Sequence, residues 1–186
     1  MKSQIPLRYG VLTAMVLLAA FSRLIPHASN FTAIGAMALF GGAYFTRKSW
    51  ALLVPLLALW LSDIVLNNVV YRPYYPTFTL EVNPWTYGTF AAIVLLGAVL
   101  LRRVKPLNVL LTSLLASTLF FVVTNFGVWI GSSIYPQTTA GLLTCYTAAL
   151  PFFGNTLAGD LFWSTVLFAG FELVQRRFPS LTPERA

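Results

Sequence analysis

The sequence predicts an all-α integral membrane protein, a bundle of six transmembrane helices with cytoplasmic termini. Two observations predict this class. First, the 186 residues are 58% hydrophobic and only 9% charged, whereas a soluble domain carries roughly 25% charged residues. Second, ten of the twelve Lys and Arg residues fall into alternate intervals between apolar stretches. Because basic residues accumulate on the cytoplasmic side of membrane proteins, this alternation predicts both the number of spans and their orientation.

The predicted cytoplasmic segments are the two termini and two short connections. Their basic residues are Lys2, Arg8, Arg47, Lys48, Arg102, Arg103, Lys105, Arg176, Arg177 and Arg185. The outer connections carry only Arg23 and Arg72. We expect the net charge of +7 to face anionic lipid headgroups and to have no role in nucleic-acid binding. Six spans of about 20 residues fill a chain of this length, so residues 1–186 are predicted to form a single transmembrane domain.

Charges and prolines delimit the first three helices. Helix 1 is free of charge between Arg8 and Arg23. Helix 2 is short: at 1.5 Å per residue it covers about 22 Å, less than the hydrocarbon core of roughly 30 Å, which suggests a sunken or cavity-lined position. Helix 3 contains Pro55 and has Asp63 near its outer end. The predicted ranges are 9–24, 31–45 and 50–66.

The last three helices follow from one long neutral stretch. No charge occurs between Lys105 and Asp160, and this interval is longer than one span. The turn-forming residues from Gly131 to Pro136 therefore indicate the break between helices 5 and 6. Helix 6 is predicted to begin at Pro151 and to contain Asp160. The predicted ranges are 85–101, 107–130 and 151–174.

Three charged residues are predicted to lie within or beside the apolar layer. Such groups cost roughly 2.5–3.5 kcal/mol each on insertion scales and usually face a cavity or a partner. Arg23 ends helix 1 on the outer side, as does Asp63 on helix 3, and Asp160 lies within helix 6. We expect an ion pair between Arg23 and one of the two carboxylates, because pairing offsets the desolvation of both charges. Such a pair either fixes the packing of the helices or takes part in binding a ligand or ion.

The outer connections are longer than the inner ones and rich in aromatic and turn residues, so they are the expected place for a binding site. Asparagine amides near the outer helix ends suit a neutral polar ligand, although capping is an alternative role. Tyrosines suit a flat heterocycle. The single cysteine is either a small packing residue or a ligand to the metal of a metal-containing substrate. The candidate ligand-binding residues are Arg23, His27, Asn30, Asp63, Asn67, Tyr71, Asn125, Trp129, Cys145, Tyr146, Asn155 and Asp160.

Six short spans, cytoplasmic termini and elaborate outer connections resemble the substrate-binding (S) subunits of energy-coupling factor vitamin transporters. Three runs also look like an uncharacterised family of small bacterial membrane proteins related to that group. They extend from Arg23 to His27, from Asn30 to Gly42 and from Leu150 to Asp160. The resemblance implies a multi-pass protein of the bacterial inner membrane that captures a vitamin-like micronutrient from the outer face for uptake.

The resemblance also implies a partner, a transmembrane coupling subunit driven by ATPases. Such subunits dock on small residues of helix 1, usually two alanines spaced by four. The matching residues here are Gly10 and Ala14, so a solitary carrier is also consistent with the sequence. The chain has no glycine-rich phosphate-binding loop followed by Lys and Ser or Thr, so any ATP hydrolysis would come from another protein.

Two other classes of function stay open. One is a structural or accessory membrane protein, which would have no pocket beneath the outer connections. The other is an intramembrane enzyme that uses Asp63 and Asp160 as a carboxylate pair for acid–base chemistry, but sequence signatures of membrane proteases are absent. We expect a protein that is not an enzyme. We expect no resident cofactor and no metal, because one His and one Cys cannot form a zinc or bis-histidine haem site.

Overall fold

The computed structural model describes residues 4–75, 77–131 and 133–181, and these ranges contain helices and turns without a β-strand. The predicted all-α class is therefore confirmed. Lys2 and Arg185, two of the basic residues used to predict the topology, lie outside the described residues. The helices are α1 Gln4–Phe21, α2 Ile34–Tyr44, α3 Lys48–Val65, α4 Pro84–Leu100, α5 Pro106–Gly131, α6 Thr139–Ser164 and α7 Gly170–Arg177.

Two helices continue through π-helical turns. Leu66–Val70 extends α3, and Thr165–Ala169 joins α6 to α7. Four continuous helical stretches of the described chain are long and apolar enough to cross a membrane, namely Leu7–Leu24, Lys48–Val70, Pro106–Gly131 and Thr139–Arg177. The helices α2 and α4 are apolar but shorter, with 11 and 17 residues.

The start of α6 differs from the prediction. The helix begins at Thr139 because the Thr138 hydroxyl oxygen accepts a hydrogen bond from the backbone N–H of Gly141, at 3.1 Å. Pro151 lies inside the helix rather than at its first position. Prolines are tolerated within membrane helices because neighbouring groups satisfy the freed backbone carbonyl. The third outer connection is consequently much shorter than predicted, and Asp160 lies deeper in its helix.

The role predicted for Arg8 is also wrong. Arg8 lies within α1, and its side chain is 7% exposed instead of facing lipid headgroups. Its Nη2 donates a hydrogen bond to the carbonyl oxygen of Tyr44 at 3.0 Å, and its Nη1 donates to the carbonyl oxygen of Leu181. The guanidinium also lies 5.2 Å from the ring centre of Phe171. Arg8 thus joins α1 to the end of α2 and to the C-terminal turn.

The short helix α2 is the centre of the bundle. It contacts α1, α3, α4, α5 and α6, and all of its residues except Ile34 and Ala43 are buried. The other helices enclose it on every side, so it is apolar around its whole circumference instead of amphipathic. Its position between the longer helices explains how so short an element is accommodated within the apolar layer.

Glycines allow α2 and α4 to approach closely. A Cβ atom at Gly97 of α4 would lie 2.5 Å from the backbone oxygen of Leu39, and a Cβ at Gly42 would overlap the backbone of Val94. Gly41 of α2 faces the ring of Pro55 in α3 in the same way. Small residues at such contacts are the usual means by which membrane helices bring their backbones together.

The substitution Gly97→Ala tests this contact. The added methyl overlaps the backbone of α2, and overpacking of this kind costs about 1–3 kcal/mol of unfolding free energy. The control is Gly88→Ala on the same helix, where a Cβ meets no atom within 4 Å. Thermal unfolding in detergent should show a lower Tm for Gly97→Ala and an unchanged or higher Tm for Gly88→Ala. Equal Tm values for the two variants would refute the close packing.

Candidate functional site: a cavity beneath the first connection

A cavity of about 610 Å³ lies where the first connection meets the end of α3, the start of α4 and the middle of the continuous helix formed by α6 and α7. Its wall combines polar and apolar groups from six parts of the chain, so the tertiary fold creates it. The lining residues are Arg23, Leu24, Ile25, Pro26, His27, Ser29, Asn30, Thr32, Ile34, Gly35, Leu66, Val70, Tyr71, Thr86, Phe120, Thr156 and Asp160. Five of the predicted ligand-binding residues are among them: Arg23, His27, Asn30, Tyr71 and Asp160.

The first connection covers one side of the cavity and is held in a tight turn. Asn30 has a φ of 65°, a left-handed conformation that asparagine tolerates better than most other residues. The carbonyl oxygen of Ala28 accepts the N–H of Phe31 at 2.9 Å. The Asn155 amide of α6 donates to the carbonyl oxygen of Ser29 at 2.9 Å. Asn155 therefore holds this connection against α6, and it does not line the cavity.

The expected ion pair of Arg23 is confirmed, and its partner is Asp63. Arg23 Nη1 lies 2.7 Å from Asp63 Oδ1 and also donates to the Ser62 hydroxyl at 2.8 Å. The second carboxylate oxygen of Asp63 accepts the phenol of Tyr87 at 2.7 Å. The two charged side chains are 13% and 17% exposed, so these hydrogen bonds offset a substantial desolvation cost. The network joins α1, α3 and α4 beside the cavity.

Asp160 forms the floor of the cavity and has a different set of partners. Its Oδ1 accepts the backbone N–H of Ala36 at 3.2 Å, and its Oδ2 accepts the hydroxyl of Ser117 at 2.6 Å. Ala36 lies in the first turn of α2, whose own N-cap residue provides no side-chain hydrogen bond. A carboxylate at a helix N-terminus satisfies free N–H groups and complements the helix dipole. Asp160 is therefore an N-cap supplied by another helix.

The separate partners of the two carboxylates bear on the enzymatic alternative. An acid–base pair needs two carboxylates that share a site. In this structure Asp63 binds Arg23 and Tyr87, whereas Asp160 binds Ser117 and the first turn of α2. The arrangement gives each carboxylate a structural role of its own.

His27 contributes an acceptor to the cavity. Its Nδ1 lies 2.6 Å from the carbonyl oxygen of Ile25. Because a carbonyl oxygen only accepts hydrogen bonds, Nδ1 carries the proton, and in the neutral ring Nε2 is the acceptor. His27 is exposed and lines the cavity, so its Nε2 is available to a solute with a donor group.

Four predicted residues lie elsewhere, between α5 and α6. Cys145 donates to the carbonyl oxygen of Asn125 at 3.5 Å, and the Tyr146 hydroxyl donates to that of Val122 at 2.6 Å. The Asn125 amide donates a hydrogen bond to the carbonyl oxygen of Phe121 in its own helix, and the Trp129 indole N–H donates to the carbonyl oxygen of Pro136. Placing Cys145 and Tyr146 in an outer connection was wrong, because α6 begins before them. These four residues connect α5 to α6 or satisfy local carbonyls.

The second connection is held by an asparagine that the prediction left outside the site. The Asn68 side chain both donates to the carbonyl oxygen of Thr79 and accepts its N–H, each at 2.8 Å. The neighbouring Asn67 lies in the π-helical turn after α3 and is not among the residues that line the cavity. The amide pair of Asn68 shapes the segment that leads from Tyr71 to α4.

Sequence reasoning missed the hydroxyl groups of the cavity, namely Ser29, Thr32, Thr86 and Thr156. Helical spacing was a usable signal for one of them, since Thr156 lies four residues before Asp160 and shares its helix face. In the described part of the chain, no group of three or more His, Cys, Asp or Glu side chains is placed to hold a metal ion.

The capping role of Asp160 predicts a graded response to substitution. Asp160→Ala leaves the first turn of α2 without its acceptor, and lost N-caps cost about 0.5–2 kcal/mol. Asp160→Asn keeps an acceptor oxygen and should recover part of the lost stability. The Tm of the purified variants in detergent should therefore fall in the order wild type, Asp160→Asn, Asp160→Ala. A wild-type Tm for Asp160→Ala would contradict the capping role.

Comparison with known proteins places this structure in a family. No curated protein and no solved structure matches the chain. One family model does, a family of unknown function (DUF6580), and it covers residues 3–181, which include every residue of the cavity. The chain belongs to this family.

Proposed function

We propose that this protein is a carrier of the bacterial inner membrane that captures a small micronutrient, a vitamin-like solute, from the outer face for uptake. The topology that underlies this proposal has six spans: α1, α2, α3, α4, α5, and α6 continued by α7. Both termini then lie in the cytoplasm, because the basic residues concentrate at the end of the bundle opposite the cavity. The cavity opens to the outer side in this orientation.

The observation that carries the proposal is the cavity itself. Its volume of about 610 Å³ falls within the 300–1,000 Å³ that is typical of small-molecule sites. An accessory protein without a ligand has no need of such a cavity within a small bundle. The charged residues Arg23 and Asp160 on its wall are held by hydrogen bonds inside the protein, so they are pre-organised before a solute arrives.

The chemistry of the wall favours a neutral polar solute. The charge of Arg23 is balanced by Asp63, and that of Asp160 by the N-terminus of α2. The remaining polar groups are hydroxyls, an amide and an imidazole, which donate and accept hydrogen bonds without charge. Tyr71 and Phe120 add aromatic rings to the wall, which suits a heterocyclic part of the solute.

A coupling partner is the second part of the proposal. Gly10 and Ala14 are exposed on α1, and a Cβ at Gly10 meets no atom within 4 Å. They lie in a shallow groove with Tyr9, Thr13, Leu17, Arg47 and Trp50. A smooth helix face of small residues permits close approach of another membrane helix. A transmembrane subunit with ATPases is the partner that the resemblance to the S subunits of energy-coupling factor transporters implies.

The proposal is tested by mass spectrometry of small molecules released when the detergent-purified protein is denatured. We expect a stoichiometric micronutrient from the wild-type protein. Thr156→Phe fills the cavity and should lower the amount released by about tenfold or more, which corresponds to about 1.4 kcal/mol of binding free energy. A protein that copurifies with no small molecule and shows no thermal shift against a vitamin panel would refute the proposal.

Thr147→Phe is the matched control for this experiment. Thr147 also lies on α6, and its hydroxyl donates to the carbonyl oxygen four residues earlier, as that of Thr156 does. It is exposed on the surface of the bundle and does not line the cavity. Thr147→Phe should retain the full amount of solute. Equal losses in both variants would show that the effect comes from the helix and not from the cavity.

A further inference from the structure

A second cavity lies at the opposite, basic end of the bundle, between α5 and the junction of α6 with α7. Its volume is about 570 Å³, and we call it the inner groove. Leu110, Leu161 and Phe168 form apolar parts of its wall, and the residues with charged side chains are Glu172 and Arg176. The Glu172 carboxylate accepts the hydroxyl of Tyr44 at 2.6 Å. Ser113 and Ser164 line the groove at its deep end.

A row of polar side chains extends from the outer cavity to this inner groove. Asp160, on the floor of the outer cavity, accepts the hydroxyl of Ser117 at 2.6 Å. Ser117 also lies 3.0 Å from the carbonyl oxygen of Ser113, and the Ser113 and Ser164 hydroxyls are 2.8 Å apart. All four side chains are at most 3% exposed. This set, which we call the seryl layer, is a group of buried polar side chains between α5 and α6.

The seryl layer is thin. Asp160 and Ser164 are four residues apart on α6, as are Ser113 and Ser117 on α5, and four helical residues span about 6 Å. Roughly one helical turn therefore separates the floor of the outer cavity from the deep end of the inner groove. A hydrocarbon core of roughly 30 Å would otherwise insulate the two sides. The two cavities remove most of that insulation between α5 and α6.

Capping of α2 accounts for only half of this layer. Asp160 and Ser117 complete the N-terminus of α2, but the Ser113–Ser164 pair lies one turn further inward and caps no helix. The inner groove is also lined by the π-helical turn Thr165–Ala169. Such turns interrupt the regular backbone ladder and are frequent at functional sites.

We propose that the solute crosses the membrane inside this bundle, between α5 and α6, and that the seryl layer is the closed gate between the outer cavity and the inner groove. This inference rests on the proposed transport function and specifies the path that the solute takes across the membrane. It requires a polar reagent to reach the layer from each side of the membrane in turn. A carrier that reorients as a rigid body presents the outer cavity itself to the inner side, so access from that side does not pass through the inner groove.

Thiol labelling tests the route. Cys145 is the only cysteine, so Cys145→Ser gives a background in which Ser117→Cys is the sole thiol. The membrane-impermeant reagent 2-(trimethylammonio)ethyl methanethiosulfonate is applied to right-side-out and to inverted vesicles. We expect Ser117→Cys to react in both. Leu110→Trp fills the inner groove without touching the outer cavity, so it should slow the reaction in inverted vesicles only. Reaction from one side only, from neither, or at an unchanged rate in inverted vesicles of Leu110→Trp would overturn the proposal.

Two further variants make the labelling decisive. Thr118→Cys is the control, because Thr118 is the next residue on α5, lies at the same depth and is exposed on the bundle surface. It should react at least about tenfold more slowly in both vesicle types, since the charged reagent does not enter lipid. Ser164→Cys replaces a serine that does not contact Asp160. If Ser117→Cys fails to fold, Ser164→Cys takes its place in the test and must react in both vesicle types.

The outcomes separate the route from the proposed function. One-sided labelling, together with loss of solute in Thr156→Phe, would leave the carrier function standing and refute the route. Two-sided labelling in a protein that copurifies with no small molecule and shows no thermal shift with the vitamin panel would support the route and refute the micronutrient site.

Discussion

The structure depends on how the backbone of α2 is satisfied at its two ends. This helix has 11 residues and is about 16 Å long, roughly half the thickness of the hydrocarbon core. Gly35 and Ala36 in its first turn and Tyr44 at its end are buried in the bundle, and unpaired N–H and C=O groups there cost several kcal/mol each. Asp160 of α6 accepts from its first turn, and Arg8 of α1 donates to its last carbonyl oxygen. Each charge also matches the helix dipole.

These two contacts determine much of the surrounding packing. A Cβ at Gly35 would lie 2.5 Å from Asp160 Oδ2, so only glycine allows the carboxylate to reach the first turn of α2. At the other end, Arg8 also binds the carbonyl oxygen of Leu181, and the hydroxyl of Tyr44 binds Glu172. The chain thus closes on itself at the basic end. Insertion energies disfavour Arg8 and Asp160 in an apolar layer. Both are retained because leaving the backbone groups at the ends of α2 unpaired would cost more free energy.

The same contacts create the conditions for a binding site. Because α2 stops short, the space above its N-terminus is left to the first connection, and the cavity forms there. Asp160 becomes the floor of that cavity while it caps the helix, so one side chain both completes α2 and shapes the cavity. Arg23 is held beside it by Asp63, Ser62 and Tyr87. The wall therefore carries charges in fixed positions with balanced signs, and its remaining polar groups are neutral.

The sequence by itself determined the helical class and most helix ends, because apolar runs, prolines and turn residues are local signals. It also singled out Arg23, His27, Asn30 and Tyr71, which line one cavity, since these residues stand in or beside the first two long connections. Only the tertiary structure decided which carboxylate pairs with Arg23, because both candidates satisfy the same pairing rule. The start of α6 and the buried role of Arg8 were equally hidden: a capping threonine and an interhelical hydrogen bond depend on where other elements lie in space.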